Sequence, residues 1–135
     1  MDWITDNIAI GNYLDARDKI LITRENIQSI ISLDGECEVF TPEPCFFKRK
    51  IFNLIDGPGN DMRTFTRAVD TLITFVESHP PVLVHCHAGR SRSPIVVAGY
   101  LIVKEKMEPE DALAFVGTKR EFNISSGLEE LLYYL

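Results

Sequence analysis

Apolar positions along the chain follow two rhythms. Between Thr64 and Glu77, the residues Phe65, Ala68, Val69, Leu72, Ile73 and Val76 recur at three- and four-residue steps. That spacing predicts an amphipathic helix over 64–77, stopped by His79-Pro80-Pro81. Elsewhere the apolar residues come in short runs closed by turn formers. Ile8-Ala9-Ile10-Gly11-Asn12 predicts a strand and a turn, and Ile27 to Leu33, ending at Asp34-Gly35, predicts a second strand. Leu14 to Glu25 lies between them and predicts a short helix. Phe46 to Leu54 alternates only roughly, with Lys48 and Lys50 between Phe47, Ile51 and Phe52, and predicts another strand. The loop Ile55 to Asp61 then follows, rich in Gly, Pro and carboxylates.

Val82-Leu83-Val84 is apolar on consecutive residues. That pattern fits a strand inside a parallel sheet covered on both faces. Ser93 to Lys106 is apolar nearly all round, which predicts a buried helix, with Pro94 in its first turn where a missing N–H costs nothing. Pro109 to Lys119 predicts a further helix with acids at its start and Lys119-Arg120 at its end, as the helix dipole prefers. Gly127 to Leu135 predicts a short closing helix. Strands alternating with helices give an α/β domain with a central, mainly parallel sheet of four to five strands flanked by helices.

Size and charge narrow the possibilities. At 135 residues the chain matches one domain, 1–135. A chain of this length buries roughly two thirds of its unfolded surface and needs no disulfide or metal to hold a core. A formal net charge of -6 argues against a nucleic-acid partner. The acidic start, Met1 to Asp6, does not read as a signal peptide, and Ile95 to Val103 is far short of a membrane span of about 20 residues. Three cysteines fit a reduced protein, and the expected location is cytoplasmic.

The chemistry concentrates in His85-Cys86-His87-Ala88-Gly89-Arg90-Ser91-Arg92-Ser93, between the apolar strand and the buried helix. A loop entering a helix N-terminus presents backbone N–H groups and the positive end of the dipole, and so binds anions. Gly89 supplies the backbone freedom for a tight cradle. Arg92 can fork onto two oxygens of a tetrahedral oxyanion. Surroundings of this kind also favour a thiolate over a thiol. A thiolate facing the phosphorus of a phosphate monoester is a nucleophile aimed at an electrophile.

His85-Cys86, five residues, then Arg92-Ser93 resembles the signature of the cysteine-dependent protein tyrosine phosphatases. The short chain, the position of the cysteine and the single upstream aspartate loop resemble the compact dual-specificity branch. The likeness covers nearly the whole chain and implies a phosphatase-like fold. It implies that Cys86 forms a phosphocysteine and that Arg92 clamps the phosphate and its transition state. It further implies that Ser93 stabilises the departing thiolate and that His85 organises the loop. His87, Ala88, Gly89, Arg90, Ser91 and Arg92 would make up the phosphate loop. A general acid is expected on the loop before the 64–77 helix. Asp56, directly after a strand, is favoured, and Asp61 is the alternative, as a helix cap or secondary acid. No cofactor or metal is expected. The resemblance implies phosphorylated protein substrates, and a monomer is expected. His87 and Arg90 occupy positions where phosphoinositide phosphatases often carry basic residues, which keeps a lipid substrate as the alternative. The stretch after Arg120 departs from the branch, because Glu121-Phe122-Asn123-Ile124-Ser125-Ser126 stands where relatives often have Pro-Asn and an aromatic.

Other readings of the same residues are weaker. A packing role for Cys86 conflicts with the flanking Gly89, Arg92 and Ser93. A zinc site from His85, Cys86 and His87 lacks a second ligand pair. Asp56 could serve only turn geometry beside Gly57. Cys37 and Cys45 receive no redox role, Asn123-Ile124-Ser125 no glycan, and His79 an exposed helix end. A sulfurtransferase does not need the Cys86-to-Arg92-Ser93 spacing with an upstream aspartate, and small arsenate reductases carry their loop near the N-terminus. A non-catalytic phosphate-binding module would be expected to have lost Cys86 or Arg92.

Overall fold

The computed structural model describes residues 1–35, 39–41 and 47–135. Five strands form one sheet: β1 (Asp2–Thr5), β2 (Ile8–Gly11), β3 (Ser29–Ser32), β4 (Lys48–Ile51) and β5 (Val82–His85), in the order β1-β2-β5-β3-β4. The β2–β5, β5–β3 and β3–β4 pairs are parallel, and β1 pairs antiparallel to β2. The central strand β5 runs between β2 and β3, with Gly11 and Ser32 both in register with His85. The chain therefore leaves β5 for the cysteine loop at the carboxyl end of the parallel strands, where open α/β sheets place their ligands.

Side-chain alternation sorts the core onto two faces. Ile8, Ile10, Ile31, Leu33, Val82 and Val84 pack with α3 (Met62–Ser78), α4 (Arg92–Glu105) and α5 (Pro109–Lys119). Ala9, Ile30 and Leu83 point the other way, onto Ala16 of α1 (Tyr13–Arg17) and Ile22 of α2 (Lys19–Arg24). Residues Ser93 to Leu101 of α4 are all buried, which explains why that helix has no polar face.

Four expectations change. The 14–25 segment is two helices broken at Asp18, which ends α1 and caps α2 by accepting from the Leu21 N–H (3.1 Å). The 46–54 strand shortens to Lys48–Ile51, and Phe46, like Cys37 and Cys45, falls outside the described residues. The closing helix is a 3₁₀ helix over Glu129–Tyr134. The strand β1 had no counterpart in the apolar pattern, because only Ile4 of its four residues is buried. Asp61 takes the capping role foreseen for it, accepting from the Arg63 N–H at the start of α3 (3.1 Å). Among the described residues, no helix is long and apolar enough to cross a membrane.

Candidate functional site

The loop that begins at Cys86 is held by its carbonyls. His85 Nδ1 lies 3.3 Å from the Cys86 carbonyl. The Tyr13 N–H donates to the His87 carbonyl (3.0 Å). Tyr13 is the first residue of α1, so its amide has no partner within its own helix and is free to reach the loop. Arg120 donates from Nη2 to the Ala88 carbonyl (3.4 Å) and from Nε to the Gly89 carbonyl (2.7 Å). The Asn123 N–H donates to the Arg90 carbonyl (2.8 Å). The carbonyls of residues 86 to 90 are thus all drawn outward. A trans peptide carries its N–H on the side opposite its C=O, so the amides of 87 to 91 turn toward the concave side. An amide ring of this kind is a nest for a tetrahedral oxyanion.

Gly89 sits at the tightest point. Its φ is +69°, and a Cβ there would lie 2.4 Å from the Gly11 carbonyl oxygen and 2.7 Å from Arg120 Nη2. Conformation and space both demand glycine.

Cys86 is 2% exposed at the base of the ring. Ser91 caps α4 without donating or accepting a side-chain cap bond within the helix, so the first amides of α4 stay open to an anion. Arg92 sends Nη1 to the Leu54 carbonyl (3.2 Å), while its buried Nε has no partner among the described residues. The Ser93 hydroxyl is likewise buried and unpartnered. Buried donors are nearly always satisfied, so these two atoms mark where the site expects a guest or a charged sulfur.

Asp56 reaches the other end of the loop. Burial by itself would raise its carboxyl, but hydrogen bonds from Ser91 and Ser125 and the Arg92 charge outweigh burial and hold it below the ordinary carboxylate value. Ser125 also donates its N–H to Ser91 Oγ (2.9 Å). The loop behind Asp56 is closed by Asn60, which accepts from the Ile55 N–H (2.8 Å) and donates to the Ile55 and Gly57 carbonyls (2.8 and 3.1 Å). Asp61 is occupied at the helix cap instead.

The structure therefore brings Cys86, Arg92, Ser93, His85 and Asp56 to one place, along with the backbone of 87–91. His87 and Arg90 contribute backbone there, but their side chains are exposed and turned elsewhere. The His87 ring stacks on Tyr13 with centroids 4.4 Å apart and planes 7° from parallel. Arg90 lines a polar cleft that also holds Asp2, Lys119, Arg120 and Glu121. Sequence reasoning missed Arg120, Ser125, Asn123 and Tyr13. Arg120 is in sequence only the basic end of a helix, yet it also bonds Asp2 (2.8 Å) and ties the loop to β1.

The dual specificity phosphatase catalytic-domain model matches residues 9–133, and the chain belongs to that family. Dual specificity protein phosphatase 1B of Arabidopsis thaliana is 27% identical over 118 residues, spanning 87% of this chain and 70% of its own length. Dual specificity protein phosphatase 8 of Mus musculus is 28% identical over 121 residues, but the match spans only 18% of that protein, so this chain corresponds to a small part of it. The crystal structure of human DUSP28 superposes with a TM-score of 0.87 over 99% of this chain and 94% of the other, at 17% identity, a likeness of fold.

Proposed function

We propose that the chain is a phosphatase acting on phosphorylated proteins, hydrolysing phosphotyrosine together with phosphoserine and phosphothreonine through a phosphocysteine on Cys86. The observation that carries this is the outward pinning of the carbonyls of residues 86 to 90 above a buried cysteine. The phosphoryl oxygens occupy the amide ring and the free Nε of Arg92. Cys86 Sγ attacks phosphorus in line, the P–O bond to the leaving oxygen breaks, and Asp56 gives that oxygen a proton. Water then attacks the phosphocysteine, with Asp56 taking its proton back and Ser93 donating to the released thiolate. Arg92, the amides and the α4 dipole stabilise the charge that develops. The proposed setting is a monomer in the cytoplasm.

The lipid alternative rested on His87 and Arg90. The ring of His87 is stacked on Tyr13, and Arg90 lines a cleft of mixed charge with Asp2, Glu121, Lys119 and Arg120. The His87 ring is committed to Tyr13, which favours the protein substrate.

In the unliganded site Asp56 is ionised, yet the first step needs it protonated. An arriving phosphate dianion engages Arg92 and replaces attraction with repulsion, which drives Asp56 to take up a proton. Turnover must then fall as pH rises through the Asp56 pKa in the complex. Replacing Asp56 with Asn is expected to slow phenyl phosphate hydrolysis by about 10²-fold and to abolish that basic limb. Asp61→Asn should keep the limb; if Asp61→Asn removes it and Asp56→Asn does not, the acid is misassigned. Phosphate release from phosphotyrosine, phosphothreonine and phosphoinositide substrates tests the substrate class, and a preference for the lipid would overturn it.

Arg120→Ala removes both side-chain donors to the Ala88 and Gly89 carbonyls. The cradle amides lose their fixed direction, and kcat/KM for an aryl phosphate is expected to fall about tenfold or more, as misplacement of binding groups does. Steady-state kinetics with a thermal melt checks this, and an unchanged kcat/KM would show that the backbone ties suffice.

A further inference from the structure

The imidazole of His85 is fully buried at the carboxyl end of the central strand. Its two nitrogens must both find partners there. Nδ1 faces the Cys86 carbonyl, which can only accept, so Nδ1 carries a proton. In the neutral ring Nε2 is then an acceptor, and the Ser32 hydroxyl lies 2.6 Å from it. The β3–β5 register sets Ser32 directly beside His85, and Ser32 is also fully buried. We propose that Ser32 is a positioning residue for Cys86: by anchoring Nε2 and so fixing the tilt of His85 it holds the Cys86 carbonyl outward and the His87 amide inward, toward the sulfur. This rests on the reading of Cys86 as the nucleophile.

The neutral ring is the resident form. Burial lowers the His85 pKa, with Arg49 of β4 acting in the same sense, while Asp34 beyond β3, the Cys86 carbonyl and Asp15 of α1 pull upward. A hydroxyl suits either state, because it can donate to a bare Nε2 or accept from a protonated one. Alanine can do neither. With Nε2 stranded, the far side of the ring has no anchor, so the imidazole tilts and the Nδ1–H bond to the Cys86 carbonyl lengthens. The Cys86–His87 peptide rotates, and the sulfur loses the amide that stabilises its negative charge.

The test is the rate of iodoacetamide alkylation of Cys86, read on the peptide that carries it by mass spectrometry, for wild type, Ser32→Ala and Ser32→Thr. Since only the thiolate reacts, Ser32→Ala is expected to slow alkylation about tenfold at pH 6 and to leave it unchanged near pH 10. Ser32→Thr restores the hydroxyl and should stay within about twofold of wild type. Equal rates for Ser32→Ala and wild type at both pH values would overturn the role of Ser32 and leave the nucleophile standing. Retained phosphatase turnover in Cys86→Ser would instead overturn the nucleophile reading itself.

Discussion

Cys86→Ser loses turnover of an aryl phosphate by about a millionfold, the scale on which removal of an enzyme's nucleophile is felt. The two side chains differ by one atom, so shape is not the cause. A serine hydroxyl at this position has no base beside it: His85 spends Nδ1 on the Cys86 carbonyl and Nε2 on Ser32. The amide ring can stabilise negative charge on an attacking sulfur, but it cannot remove the proton of an alcohol. The fold should be indifferent to the change, because Cys86 is the described free cysteine and takes part in no covalent link. The variant should still bind phosphotyrosyl peptide, since Arg92 and the ring remain. Steady-state rates with a binding isotherm check both halves. Loss of binding together with turnover would mean that the substitution disturbed the cradle.

Arg92→Lys is expected to lower kcat by about 10²- to 10³-fold, as loss of a transition-state donor does. Arg92 has two tasks at once. Its buried Nε has no partner among the described residues and is left for the phosphate, and its Nη1 holds the Leu54 carbonyl just before the Ile55–Asp56 turn. A guanidinium can serve both because its donors diverge in one plane; an ammonium is a single point and must choose. If lysine keeps the phosphate, the root of the acid loop is released, and the basic limb set by Asp56 should weaken in the same variant. A drop in affinity with kcat unchanged would show instead that Arg92 only binds the ground state.

The parts of the site that could be read from the sequence are those written contiguously. Cys86, Gly89, Arg92 and Ser93 fall within one loop, and a strand, a loop and a helix start are local features. Asp56 was readable because it follows a strand and precedes the long amphipathic helix. What stayed hidden is held by partners distant in the chain. Arg120 acts on the carbonyls of Ala88 and Gly89, and Ser125 acts on Ser91 and Asp56. Tyr13 and Asn123 act through their backbone amides, which no side-chain pattern encodes. Ser32 looked like an interruption in an apolar strand, and only the register with β5 shows what it faces. In the fold, α1 and α2 merged into one expected helix because Asp18 looks like any surface aspartate until its side chain caps the second helix. The segment after Arg120 departs from the family pattern in letters, yet its Asn123 and Ser125 both bond the cysteine loop.

The most direct test of the central claim is to catch the intermediate. Wild-type protein mixed with an aryl phosphate and quenched in acid within the first turnover should carry phosphate on the Cys86 peptide by mass spectrometry. With p-nitrophenyl phosphate, whose leaving group needs no proton, the label should build up further in Asp56→Asn, where water is no longer activated, and it should be missing from Cys86→Ser. Phosphate found on another residue, or phenol released with no phosphorylated Cys86 at any time, would contradict the account.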